Sequence, residues 1–206
     1  RIVGVITDMT EPLGDKVGNF LEVEESIDCL KGGGPADLLE VTYRLTAWML
    51  VAGGKAEDLA EAEGLCRAAV ESGRAYELFL ANVKRQGGDV EKMLSLYGAY
   101  RSDHRRELKA PKAGYIRSID AFKIGLAGVY LGVGRNKTVD PVAPDVGFVF
   151  KAKKGAKVEA GQAVAEVYGK DRASLDAAWP LIEAALTIGD AAPASAPLII
   201  KEITAL

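Results

Sequence analysis

The chain opens on Ile2-Val3-Gly4-Val5-Ile6, a continuous β-branched run within Arg1–Thr7 that a polar turn, Asp8-Met9-Thr10-Glu11-Pro12-Leu13-Gly14, brings to an end. Short apolar runs closed in this way read as strands buried on both faces of a parallel sheet. The run begins at once, with no initiator Met and no polar tail before it, and so reads as a strand cut from a longer protein. After the turn the period changes from two to 3.6. Phe20, Val23, Ile27 and Leu30 form one helix face that stops at Lys31-Gly32-Gly33-Gly34-Pro35. Pro35 then suits the first turn of a second helix, striped by Leu38, Val41, Leu45, Trp48 and Ala52 and ended by Gly53-Gly54. Further helices are expected near Glu57–Ser72 and Arg74–Gln86, so this half is mostly helical after one strand.

The second half alternates more. Arg106–Ile119 reads as a strand kinked at a glycine, Ala121–Leu131 as a short helix closing at Gly132-Val133-Gly134, and Gly147–Tyr168 as short β segments punctuated by Gly155 and Gly161. A helix near Asp171–Leu186 and a strand at Leu198–Ile203 complete it. The fold class is α/β with α+β character, the second half holding a small mixed, sandwich-like sheet. The best internal boundary is the change of composition near Ser102–Pro111.

Composition narrows the classes. The 206 residues are 49% hydrophobic and 27% charged, with 26 Lys+Arg against 29 Asp+Glu. This is a globular balance, and it has no basic stripe with interleaved aromatics, so nucleic acid is not expected as a partner. The longest apolar stretches, Ala47–Ala52 and Ile124–Val133, fall short of the ~18 residues of a spanning helix, so no membrane role is expected. Cys29 and Cys66 sit inside helical patterns, which suits small core residues of a reduced, cytoplasmic protein. His104 is the single histidine. Flanked by Asp103, Arg105 and Arg106, it reads as exposed, where an imidazole is a poor candidate for catalysis. The chain thus reads as part of an enzyme lacking its chemical centre, with no catalytic residue assigned.

Ligands of open α/β sheets lie beyond the carboxyl ends of strands, which points to Asp8 and the loop to Gly18. Glu22, Glu24 and Glu25 follow in the first turns of the next helix. They suit either a solvated face complementing the helix dipole or a cation site. In the second reading, carbonyls near Leu13 and Lys16 join one carboxylate as hard oxygen ligands. Spacing leaves both readings open. Two other patterns read blandly: Leu131-Gly132-Val133-Gly134-Arg135 as a helix cap and turn, and the lysines of Lys151–Lys157 as a solvated edge.

The segment Val5-Ile6-Thr7-Asp8-Met9-x-x-Pro12-Leu13-Gly14-x-x-Val17-Gly18-Asn19-x-Leu21-Glu22-Val23-x-Glu25 resembles the one that defines the thymidine phosphorylase and pyrimidine-nucleoside phosphorylase family. The likeness continues through Leu30-Lys31-Gly32-x-Gly34-Pro35-x-Asp37-Leu38, Gly114-Tyr115-Ile116, Leu131-Gly132-x-Gly134-Arg135, Asp145-x-Gly147 and Gly155…Val158…Gly161. It spans essentially the whole chain but only the C-terminal half of the family. The resemblance implies reversible phosphorolysis of thymidine, deoxyuridine or uridine to free base and (deoxy)ribose 1-phosphate, with phosphate as co-substrate. It places the family's base-holding residues and phosphate loop upstream of the segment matching Arg1, so no catalytic or substrate-binding residue is carried over. It implies a monovalent cation, potassium, on the carbonyls of Leu13 and Lys16 and the carboxylate of Glu25, beside other ligands from the part of the family upstream of the segment matching Arg1. The residue matching Lys16 is usually small in relatives, a change that a backbone ligand tolerates.

By the same resemblance, residues 1–102 belong to the family's large α/β domain and 103–206 to its C-terminal lobe. The whole enzyme is a homodimer through upstream helices, and the chain alone is inactive. A rival is similar to half of a biotinyl or lipoyl carrier sandwich over Phe148–Tyr168, although no lysine there has the setting that those modifications use. A non-catalytic structural or regulatory homologue is a second rival.

Overall fold

A computed structural model describes residues 2–135 and 137–205, so Arg1 of the expected first strand lies outside the described residues. In chain order the first half contains β1 (Ile2–Thr7), β2 (Lys16–Val17), α1 (Asn19–Leu30), α2 (Ala36–Ala52), α3 (Leu59–Glu71), α4 (Arg74–Arg85) and α5 (Val90–Leu96). The second half contains β3 (Arg105–Lys109), β4 (Gly114–Ile119), α6 (Ala121–Leu131), β5 (Gly147–Phe150), β6 (Lys157–Val158), β7 (Ala163–Tyr168), α7 (Arg172–Ala185), β8 (Leu186–Gly189) and β9 (Ile199–Ala205). The α/β class holds, and the chain divides into two compact units.

The helical unit takes residues 2–8, 26–99 and 197–205. Helices α3 and α5 start on aspartate caps: Asp58 accepts from the Glu61 N–H at 2.9 Å and Asp89 from the Lys92 N–H at 2.9 Å. Ile27, Ala47, Ala62 and Cys66 are buried, and burial pushes the Cys66 thiol up, which keeps it an inert core residue. Arg44 of α2 reaches both Glu63 of α3 at 3.0 Å and Glu202 of β9 at 2.9 Å. Strand β1 pairs antiparallel with β9, Ile2 opposite Ala205, and leaves Ile2 77% exposed. The expectation of a parallel strand covered on both faces is therefore corrected. An apolar run reports β propensity, while the sense of its pairing depends on a partner nearly two hundred residues away.

The sheet unit takes residues 9–25 and 100–196. One sheet has the order β2-β5-β7-β3 and the other β6-β4-β8, with every described pair antiparallel. Helices α6 and α7 supply Ile124, Leu131, Trp179 and Ile182 to a core completed by Leu108, Ile116, Phe148, Val164 and Val167. The stretch expected as one kinked strand over Arg106–Ile119 is two strands in different sheets. Pro111 stands between them, where it cannot donate to a ladder. Strands β2 and β8 and helix α5 are too short for a periodic signal. Gly132 caps α6, its N–H returning to the Gly128 carbonyl at 3.1 Å, as the cap-and-turn reading of that motif expects.

Two glycines let β2 lie on β5. A Cβ on Gly147 would sit 2.0 Å from the Val17 carbonyl oxygen, and one on Gly18 would sit 2.4 Å from that of Val146. Both have positive φ, a conformation that side chains resist. This contact anchors the end of the turn that follows.

Candidate functional site

The loop after β1 is fastened at nearly every residue to the rest of the sheet unit. The Thr10 carbonyl accepts from the Ala121 N–H at 3.0 Å, and the Glu11 carboxylate accepts from the Ile119 N–H with both oxygens, at 3.1 and 3.0 Å. The carbonyls of Pro12 and Gly14 accept from Lys153 Nζ at 2.7 and 2.6 Å. The Asp15 carbonyl accepts from the Phe150 N–H at 2.7 Å, after which Lys16 and Val17 pair with Val149 and Phe148. Asn19 Nδ2 closes the segment by donating to the Val133 carbonyl at 3.0 Å. A loop so held is a preorganised surface of backbone oxygens.

The three acids that the sequence groups together separate in the structure. Glu22 is exposed and accepts from the Gly18 N–H at 3.0 Å, a capping role consistent with the helix-dipole reading for that residue. Glu24, 1% exposed, meets Arg101 in a fork: Nη1 donates to Oε1 at 2.9 Å and Nη2 to Oε2 at 2.6 Å. The Lys16 ammonium stands 3.6 Å from the same carboxylate, and the fork raises Arg101 above its already high ordinary value. Glu25, 4% exposed, turns into the loop instead. Its Oε1 accepts from the Asp15 N–H at 2.8 Å, and its Oε2 lies against Gly14, where a Cβ would sit 2.2 Å away. Burial pushes the Glu25 carboxyl up from 4.5 to about 7, against the opposing help of the Asp15 N–H and the Lys16 charge.

Leu13, Lys16 and Glu25 thus belong to one turn and the helix packed on it. Leu13 lies between the two residues whose carbonyls Lys153 engages, and Lys16 acts on both acids, its ammonium 3.6 Å from the Glu24 carboxylate and its charge and backbone N–H favouring the ionised form of Glu25. Among the described residues no group of three or more His, Cys, Asp or Glu side chains is arranged to hold a metal. A cation here would rest on backbone oxygens and one carboxylate, the donor set of a weakly charged, hard ion. A carboxylate whose burial is incompletely offset fits such an ion.

Asp8 belongs to the helical unit, its N–H donating to the Leu198 carbonyl at 2.8 Å. His104 is exposed. No described helix is long and apolar enough to cross a membrane. Two residues of the site escaped sequence reasoning. Lys153 sits in a run read as solvated, and Arg101 has no local pattern linking it to Glu24.

Residues 115–189 match the family model described as the pyrimidine nucleoside phosphorylase C-terminal domain. The pyrimidine-nucleoside phosphorylases of Staphylococcus aureus strains bovine RF122 / ET3-1 and USA300 are each 38% identical to this chain over 188 residues, which is 91% of the chain and 43% of theirs. That of strain MSSA476 is 37% identical over the same length. The chain therefore spans less than half the length of the curated relatives it matches.

Proposed function

The chain belongs to the pyrimidine-nucleoside phosphorylase family, matching its C-terminal part, and from this we infer that it serves in reversible phosphorolysis of a pyrimidine nucleoside to free base and pentose 1-phosphate. The observation that carries this reading is the 38% identity over 188 residues, 91% of the chain. The comparisons favour it over the carrier module. Lys153, at the turn of the carrier-like segment, has its ammonium on the Pro12 and Gly14 carbonyls rather than presented for modification.

In this reading the reaction is a displacement at the anomeric carbon in which phosphate attacks as the base leaves, so rate comes from holding an anion and a nucleoside in line and excluding water. The residues that touch them belong to the part of the family beyond this match. This chain supplies the rigid turn. The carbonyls of Leu13 and Lys16 with the Glu25 carboxylate would hold a monovalent cation such as potassium, whose positive charge would offset the buried carboxylate. The working enzyme is a homodimer, as the family resemblance implies, and the cysteine usage and charge balance suit a cytoplasmic protein with neither nucleic acid nor membrane as a partner.

Given thymidine or uridine with phosphate, the 206-residue chain by itself is expected to release no free base, and turnover above the blank would overturn this division of labour. In a full-length enzyme carrying this sequence, E25Q is expected to raise the potassium needed for half-maximal phosphorolysis about tenfold, the loss of one charged ligand contact. An unchanged potassium titration would remove Glu25 from the ligand set.

A further inference from the structure

One peptide group in the turn carries an ionisable side chain at each end. The Gly14 carbonyl accepts from Lys153 Nζ at 2.6 Å, and the N–H of the same peptide, on Asp15, donates to Glu25 Oε1 at 2.8 Å. A cation on the oxygen polarises the amide and makes its N–H a better donor, and an anion on the N–H makes the oxygen a better acceptor, so each bond strengthens the other. The arrangement needs glycine at position 14. A Cβ there would sit 2.2 Å from Glu25 Oε2, and the residue has a φ of 74°. The neighbouring backbone is committed as well: Lys153 Nζ also holds the Pro12 carbonyl at 2.7 Å, and the Asp15 carbonyl accepts from the Phe150 N–H at 2.7 Å.

We propose that Lys153 and Glu25 form an ion pair relayed through the Gly14–Asp15 peptide, which makes Lys153 the positioning residue of this turn. Its ammonium fixes the Pro12–Leu13 and Gly14–Asp15 peptides, which flank the peptide carrying the Leu13 carbonyl, and keeps the Asp15 N–H aimed at the carboxylate, although it stands on the far side of that peptide. The consequence for cation binding rests on the function proposed above: with Lys153 in place, the Leu13 carbonyl is presented by a turn that cannot rearrange.

The test is a double-mutant cycle in the 206-residue chain, using K153M, E25Q and the pair, followed by urea unfolding and by the amide shift of Asp15 in a 1H–15N spectrum. K153M is expected to lower the folding constant about tenfold or more, the effect of losing two charge-assisted bonds. At pH 8, where Glu25 is ionised, the folding constant of the double variant should exceed the one expected from multiplying the two single effects by at least about threefold, whichever sign the E25Q effect has. The Asp15 amide proton should move upfield in K153M and return in K153R, which a contact that merely filled space would not produce. K153Q, which keeps a donor without the charge, replaces K153M if that variant does not fold. Single effects that simply multiply, with the Asp15 amide unmoved, overturn the relay. Thermal melts with and without potassium separate the two ideas. A melting temperature in the wild type that ignores potassium, with the coupling present, removes the cation reading and leaves the relay. A potassium response without the coupling removes the relay and leaves the cation.

Discussion

Replacing Arg101 with methionine is expected to destabilise the chain by about 3 kcal/mol or more, the usual consequence of stranding one member of a buried ion pair. Glu24 is 1% exposed and both its oxygens are held by the Arg101 fork, at 2.9 and 2.6 Å. Removing the guanidinium takes away both of these bonds, and the Lys16 ammonium at 3.6 Å is too far for a good hydrogen bond. Methionine preserves most of the packing volume, so the loss reports charge rather than a cavity. Adding E24Q to R101M should recover much of it, because the amide has no charge to bury. Urea unfolding of the three variants measures this. A loss below about 1 kcal/mol for R101M would place this pair with ordinary surface bridges.

The second large effect is in the pH dependence of stability. The folded Glu25 carboxyl titrates near 7, against 4.5 ordinarily, because burial disfavours its charge. A raised acid is neutral in both states at low pH and imposes no penalty there. Between about 4.5 and 7 the unfolded chain ionises first, and folding becomes progressively less favourable. Above about 7 the full penalty stands, roughly 3 kcal/mol for this displacement. In buffers whose only cations are bulky, the wild type should therefore lose stability from pH 5 to pH 8, and E25Q should not lose this part. Asp15 and Lys16 face the same carboxyl with opposite effects, and the value near 7 already contains both. Potassium should restore stability at pH 8 and do nothing at pH 5, where there is no carboxylate to bind it. Equal pH profiles for wild type and E25Q would refute the desolvated carboxylate.

Much of this molecule is decided by local pattern. The 3.6-residue stripes and the glycines after Leu30 and Leu131 place the longer helices to within a few residues, since capping and amphipathicity act over one or two turns. The turn from Asp8 to Gly18 and the acids after it are equally visible as residue types in order, and so is the family. What pattern could not supply is any choice that depends on a partner far along the chain. Strand β1 took β9 as an antiparallel neighbour, and Arg106–Ile119 divided between two sheets at Pro111. Glu22, Glu24 and Glu25, alike in the sequence, received three different environments: the helix end, the Arg101 fork and the interior of a loop. Tertiary structure made that division because burial is a property of the packed chain. Once two adjacent carboxylates lose water, each requires its own compensation, and the groups that supply it, Arg101 and the peptide held by Lys153, are brought there only by the fold.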